Sequence, residues 1–407
     1  MSGEVVDEAP EVEVWRLDAD GSWLSTSGLS LYESLAWTPV FNDLGDWSTT
    51  VDEGEQATAL VEDTTRLVTI DWRGVTTTWG YGEPGVEWDD DKGLDVYTVT
   101  GVGALERLSW EDAWPDPGRD LNDQPVLFDT DPAPYKGPAE TVIKQLVAAN
   151  TVPIVASGGS WIRSGVSSIV VPASTGLGGI VTARPTGDGL LELVQKLAAV
   201  GGVGVALNLV RRPGSASRAD LTLQVWQPRD LTASTLLTTE TGTLAAWKQS
   251  ATAPTLTRAI VNGGGTGGVD RIRRVVTTPD SEAAAAAWGG HRTAWIDGPS
   301  SFDPAELDQA GVEAILAGAS TQHVSVTTGD VEGQQAFRDY QPGDRVPWLI
   351  RDAVPGAAPI SSIPVTVDDQ GITCGATIGD PDANDPDVQL GETVRQLGRA
   401  IRKQERK

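Results

Sequence analysis

The chain has 407 residues and carries 57 acidic against 30 basic side chains, a formal charge of -27. That length allows roughly two to four domains, each able to bury its own core, and the carboxylate excess excludes a protein that wraps nucleic acid, because phosphate neutralisation needs clustered Lys and Arg. With a single cysteine, Cys374, and no Cys/His cluster at zinc-ligand spacing, neither an intrachain disulfide nor a structural zinc is expected, which fits assembly in a reducing cytoplasm.

In chain order, the opening stretch MSGEVVDEAPEVEV is acidic where a signal peptide is basic and then apolar, and no run approaches the ~18 apolar residues of a membrane span. Residues 12–128 read as a first β unit. Nine of the 15 tryptophans (Trp15, Trp23, Trp37, Trp47, Trp72, Trp79, Trp88, Trp110, Trp114) fall within it, in alternating apolar and polar segments punctuated by glycine and acidic turns. VEVWRL and SWLSTS flank Asp18-Ala19-Asp20-Gly21, a hairpin turn by composition, and RLVTIDW sets Val68, Ile70 and Trp72 on one face. WPDPGRDLNDQP and DTDPAPYKGP are rich in Pro, Asp and Gly and read as a linker.

Residues 138–240 read as a small α+β domain. Val142, Ile143, Leu146 and Val147 recur at helical spacing, as do Leu190, Leu191, Val194 and Leu197, with Asp188 as N-cap and Gly201-Gly202 as terminator of the second helix. VGVALNLV and LTLQVW follow as a hairpin. Residues 241–379 return to β, with RAIVN and RIRRVV around a glycine loop, then QHVSVTT, RVPWLIR, IPVTVD and ITCGATIG. One helix interrupts them, with Asp303 as N-cap, Pro304 in the first turn and Glu306 completing a capping box. After DPDANDPD, residues 388–407 place Leu390, Val394, Leu397 and Ile401 on a short heptad seam and carry six basic against two acidic side chains. The fold class expected is mainly β with an α+β insertion and a basic C-terminal helix.

Motifs for chemistry are weak throughout. Gly263–Gly268 satisfies G-x-G-x-x-G, but a strand pattern follows where a helix should open, so a hairpin loop is expected. Asp380, Asp382 and Asn384 imitate the start of a calcium loop, yet Asp385 stands where that loop needs glycine and Gly391 where it needs glutamate. The two histidines, His291 and His323, have no recognisable catalytic context, and the acidic run from Glu87 to Asp91 reads as a solvated loop. No catalytic residue, metal or cofactor is expected. Paired carboxylates beside sugar-stacking tryptophans remain open as an alternative, a carbohydrate-binding or carbohydrate-cleaving virion protein.

Five segments in order carry a resemblance. LAWTPVFNDLGDWSTTV (Leu35–Val51, with Trp37, Asp43, Gly45 and Trp47), LLELVQKLAAVGGVGVAL, LQVWQPRDLT (with Arg229 and Asp230), RAIVNGGG (with Asn262) and YQPGDRV (with Tyr340, Gly343 and Asp344) resemble the tail-hub proteins of siphophages, the minor tail proteins of actinobacteriophages. In those motifs Gly45 and Gly343 sit where a strand must reverse and Asp43 and Asp344 can accept bonds from turn amides. The resemblance implies two tail-tube-like β-barrel domains per chain, here 12–128 and 241–379, braced by 138–240. It further implies a homotrimeric ring of pseudo-sixfold symmetry at the distal tip of the virion tail, assembled in the host cytoplasm. Its partners would be a distal tail protein, a tape-measure protein and a downstream tip or fibre protein, with DNA passing through without specific binding. Val394, Leu397, Ile401 and Arg402 would then dock that downstream protein.

Overall fold

The computed structural model describes residues 9–29, 32–52, 66–80, 82, 84–89, 94–117, 135–151, 154–155, 161–163, 169–238, 240, 243, 246–265, 272–298, 302–327, 334–350 and 354–379. Strands dominate, as expected, and among the described residues they gather into two large sheets, a three-stranded sheet and three two-stranded ones.

The first hairpin forms where the turn residues require it. Gly21 adopts φ 81°, its N–H donates to the Asp18 carbonyl at 3.0 Å, and strands Glu11–Leu17 and Trp23–Leu29 pair antiparallel with Leu17 opposite Trp23. This hairpin is the centre of a six-stranded sheet in the order Gly204–Arg211, Arg218–Trp226, Trp23–Leu29, Glu11–Leu17, Arg66–Trp72, Val75–Gly80. Its edges meet at Thr78. That residue's N–H donates to Asn208 Oδ1 at 3.1 Å and its hydroxyl accepts the Leu209 N–H at 2.9 Å, so the sheet curls into a barrel sealed by a side chain.

The larger sheet has eleven strands and joins distant parts of the chain. Ser34–Thr38, Asp46–Asp52, Leu94–Val102 and Pro84–Asp89 supply one half, and Arg345–Ile350, Val354–Ser362, Val365–Asp368 and Gly371–Ile378 supply most of the other. The halves are zipped together where Val365 pairs with Trp37. Segments 12–128 and 241–379 therefore share one sheet, and the hairpin of segment 138–240 belongs to the N-terminal barrel. Hydrogen bonding crosses each of those sequence boundaries because a strand edge is satisfied by whichever strand lies beside it, whatever its place in the chain.

Val68, Ile70 and Trp72 share a face, as period two dictates, and enter the core between the two sheets together with Trp37, Trp47, Trp79, Tyr340 and Trp348. Trp37 meets Trp72 edge-on at 5.7 Å between ring centroids, and Trp72 meets Phe337 at 5.6 Å. On the barrel's other side, helices Ala139–Thr151 and Leu190–Gly201 bury their predicted apolar stripes against Trp15, Trp23 and Leu67. The second helix ends at Gly202 with φ 67°, but Asp188 does not cap its start. Gly189 holds that position without a side-chain bond, while the Asp188 carboxylate turns back to the Thr186 N–H and hydroxyl.

A third, smaller core stands apart. Strands Arg273–Val276, Arg258–Asn262 and Thr293–Asp297 lie side by side in that order, backed by helix Pro304–Ala317. Asp303 caps this helix through the Ala305 N–H at 2.9 Å with Pro304 in the first turn. Glu306 does not complete a capping box, because the Arg184 guanidinium takes both of its carboxylate oxygens at 2.8–3.0 Å. Helix Pro279–Ala287 was not expected. Its alanine run has no apolar stripe, and it starts at a Thr278–Ser281 capping box. The glycine segment does link paired strands, with the Gly263 N–H on the Ile272 carbonyl at 2.8 Å. The calcium-like loop and the whole of residues 388–407, with Val394, Leu397, Ile401 and Arg402, lie outside the described residues.

Candidate functional site

Most of the motif residues converge on one junction between the barrel and the larger sheet, built from two turns and the connecting segment that carries Arg229 and Asp230. The first turn runs from Thr38 to Asp46. Gly45 sits at φ 62°, and a Cβ there would lie 2.2 Å from the Thr38 carbonyl oxygen, so only glycine fits. Asp43 accepts the Leu44 N–H at 2.8 Å. Between them and the barrel stands Asn42, at φ 55°, whose amide donates to the Val203 carbonyl at 2.9 Å and accepts the Val205 N–H at 2.8 Å. Gln195, on helix Leu190–Gly201, reaches the Asn42 carbonyl at 2.9 Å.

The second turn, Tyr340–Asp344, presses against the first. Gly343 has φ 95°, and a Cβ on it would meet the Phe41 ring at 2.4 Å. Asp344 is fully buried. Its carboxylate accepts the Arg229 N–H at 2.9 Å, the Gln341 N–H at 3.0 Å and the Arg229 guanidinium through Nε at 3.0 Å. The Arg345 N–H returns a bond to the Arg229 carbonyl at 2.9 Å, and Asp230 bridges to Arg345 in parallel. This side-chain bonding to Asp344 raises the Arg229 pKa, and the Thr232 hydroxyl and amide lower that of Asp230. Trp37 and Trp47 lie opposite each other on adjacent strands behind the first turn, and Tyr340 is buried behind the second. Asn262 is not part of the junction. It belongs to the small sheet, where Arg273 Nε donates to its side chain at 3.3 Å.

A cleft of about 960 Å³ opens beside the junction, lined by Phe41, Asp43, Thr78, Asn208, Gln224, Trp226, Gln341 and others. Phe41 and Trp226 stand edge-on at its wall, 6.4 Å between centroids. Glu11, Glu13, Asp71 and Lys144 also line it. Asp344, behind the cleft's lining, has its carboxylate bonded by the Arg229 guanidinium and by the Arg229 and Gln341 amides. His291 lies away in the third core, 3.2 Å from Glu282 and 3.4 Å from the Thr257 hydroxyl. Among the described residues no group of three or more His, Cys, Asp and Glu side chains could hold a metal ion, and no helix is long and apolar enough to cross a membrane.

Two polar anchors escaped sequence reasoning. Asn42 was legible in principle, since Asn-Asp ahead of a glycine is a turn signal and Asn tolerates positive φ. Glu140 was not, because it resembles any first-turn helix acid. It is buried, accepting Lys144 Nζ at 2.6 Å and the Thr175 and Leu177 N–H groups at 2.9 Å each.

Comparison with known proteins decides the family. The model of the Siphovirus ReqiPepy6 Gp37-like proteins matches residues 11–380. The chain belongs to that family. No curated protein matches the chain, whereas solved structures share its fold over 92–96% of its length. A tail protein from Neisseria meningitidis MC58 is 14% identical with a TM-score of 0.54, covering 92% of this chain and 98% of its own. The 43 kDa tail protein of prophage MuSo2 from Shewanella oneidensis is 13% identical with a TM-score of 0.56, over 93% and 100%. Prophage tail protein gp18 from Listeria monocytogenes EGD-e is 11% identical with a TM-score of 0.51, over 96% and 99%. At such identities the likeness is one of fold, and the Gp37-like chain has the fold of phage tail proteins.

Proposed function

We propose that this chain is a structural hub at the distal tip of a siphophage tail, where three copies form a ring around the DNA channel. The observation that carries the reading is the pairing of two sheet-built modules in every chain, a six-stranded barrel and an eleven-stranded sheet, fastened through one shared core. Three copies would set six sheet-built modules around the axis, three of each kind, and the proposed pseudo-sixfold ring, able to seat on a sixfold tail while offering threefold symmetry below, requires the barrel and the larger sheet to present equivalent strands to it. The Arg229–Asp344 and Asn42 contacts keep the modules rigid with respect to each other, which a load-bearing joint between a distal tail protein, a tape-measure end and a tip or fibre protein needs. Carboxylates facing the channel would keep phosphates from adhering.

Light scattering on the purified chain tests this directly: a trimer is expected, and a stable monomer at micromolar concentration overturns the ring. Reversing several channel-facing acids to lysine is expected to slow genome release while tails still assemble. Deleting residues 388–407 is expected to leave the ring and to lose the downstream tip protein.

The cleft favours a second reading, a carbohydrate-binding virion protein, since Trp226 and Phe41 beside Asn208, Gln224 and Gln341 offer an apolar wall with amide groups around it. Calorimetry with host cell-wall oligosaccharides separates the two, with Trp226→Ala abolishing binding if this reading holds.

A further inference from the structure

The small α/β core is carried on a narrow stem. Strands Ala246–Thr252 and Thr321–Thr327 lead to it and away from it, paired antiparallel from Ala246 opposite Thr327 to Thr252 opposite Thr321. Strand Gly371–Ile378 joins the second of them only from Val324 onward, so among the described residues the far end of the stem is two strands wide. Past it, the Gly318 carbonyl accepts the Thr255 and Leu256 N–H groups at 2.9 and 3.1 Å, which ties the module's entry to its exit. Segments 253–254 and 319–320 form the two necks. The module's buried cluster of Leu256, Ala259, Val261, Val276, Leu307 and Ile315 shares no residue with the other two cores.

From the side, helix Pro304–Ala317 meets strand Ile180–Ala183 and Arg184 through polar groups. The Glu306 side chain, 6% exposed, takes the Arg184 guanidinium on both oxygens. Gln309 bonds the strand as a neighbouring strand would, its Oε1 accepting the Thr182 N–H at 2.6 Å and its Nε2 donating to the Thr182 carbonyl at 2.7 Å. Lys136 and Asp303 add an exposed pair at 3.6 Å, which contributes little. Beside these bonds a cleft of about 240 Å³ separates the helix from helix Leu190–Gly201, lined by Asp188, Glu192, Leu193, Lys196, Ala310 and Glu313. A contact built on directional polar bonds, with no apolar cluster in common, opens at a lower free energy than the bodies it joins.

We propose that the small core is a hinged module, latched by Glu306 to Arg184 and by Gln309 to Thr182, and that it swings as one rigid body about segments 253–254 and 319–320 when the latch opens. This goes beyond the hub reading and does not depend on it. Opening frees the Arg184 guanidinium and the strand edge at Thr182 that the Gln309 amide had covered, so each copy has two states that a bound partner can bias.

The full chain serves for the test, with Glu306→Gln and Gln309→Ala combined as the latch variant. Hydrogen exchange at the Thr182 amide is expected to quicken about tenfold or more in it, while segments 258–262 and 273–276 keep their wild-type protection. Spin labels at Ala286→Cys on the module and Ala233→Cys on the body, with Cys374 buried, are expected to give one narrow distance without the latch substitutions and a broadened, shifted distribution with them. An unchanged distance distribution or an unchanged Thr182 rate overturns the proposal. Loss of protection across 258–262 and 273–276 overturns it too, because the module would then unfold with its latch.

Discussion

Asp344 and Arg229 are bonded to each other through both backbone and side chain across 115 positions of sequence, the carboxylate taking the arginine's own N–H as well as its guanidinium. The contact closes a long excursion that includes the small α/β core, at the entry to strand Arg345–Ile350 of the larger sheet. Removing the guanidinium leaves a buried carboxylate with two amide donors. Arg229→Ala is expected to destabilise the chain by about 2–4 kcal/mol in urea unfolding, and Arg229→Lys to recover less than half, because an ammonium cannot reproduce the fork. An unchanged midpoint would mean that the contact is ornamental.

Gly343 meets two constraints at once, a left-handed φ of 95° and the Phe41 ring. Gly343→Ala is expected to cost about 1–3 kcal/mol, read as a drop in melting temperature. Adding Phe41→Ala relieves the clash but not the backbone strain, so the double variant should not improve on Phe41→Ala alone.

At Asn42 conformation and bonding can be separated. Asn42→Gly keeps the φ of 55° accessible and loses the bonds to Val203 and Val205, whereas Asn42→Ala loses both. The expected order of stability is wild type, then Gly, then Ala, with about 1–3 kcal/mol for the first step. Hydrogen exchange at the Val205 amide should accelerate in both variants, and equal stability of the Gly and Ala variants would remove backbone strain from the account.

Glu140 makes acid stability measurable. Burial alone would raise its pKa, but the Lys144 ammonium and the Thr175 and Leu177 donors outweigh it and lower the value from 4.5 to about 2. A lowered carboxylate stabilises the fold above the unfolded-state pKa and ceases to do so as pH falls through the folded one. Stability of the 173–177 segment, followed by hydrogen exchange, is therefore expected to decline between about pH 4.5 and pH 2, and Glu140→Gln to flatten that decline while lowering stability at neutral pH. The same slope in both proteins would show that other carboxylates govern it.

Local structure was widely legible. The Asp18–Gly21 hairpin, the face of Val68, Ile70 and Trp72, the stripes of helices Ala139–Thr151 and Leu190–Gly201, and Asp303 with Pro304 all follow from periodicity and turn chemistry acting within a few residues. The two caps that failed did so for a common reason. Asp188 and Glu306 had the right residue types at the right spacing, but each found another donor, the Thr186 turn in one case and Arg184, just past strand Ile180–Ala183, in the other. Helix Pro279–Ala287 was missed because burial of Ser281 and Ala285 alone leaves no apolar stripe to read.

By itself the chain's order of residues settled many of the short segments that become strands or helices, though not helix Pro279–Ala287 or strand Pro84–Asp89, since those choices depend on side-chain alternation, capping and φ preferences spanning a turn or less. Tertiary structure alone decided that Val365 would pair with Trp37, that Thr78 would seal a barrel against Asn208 and Leu209, and that Asp344 would be spent on Arg229. Backbone edges and buried charges are satisfied by whatever lies nearest in space, and nearness across hundreds of residues is not written in any local pattern.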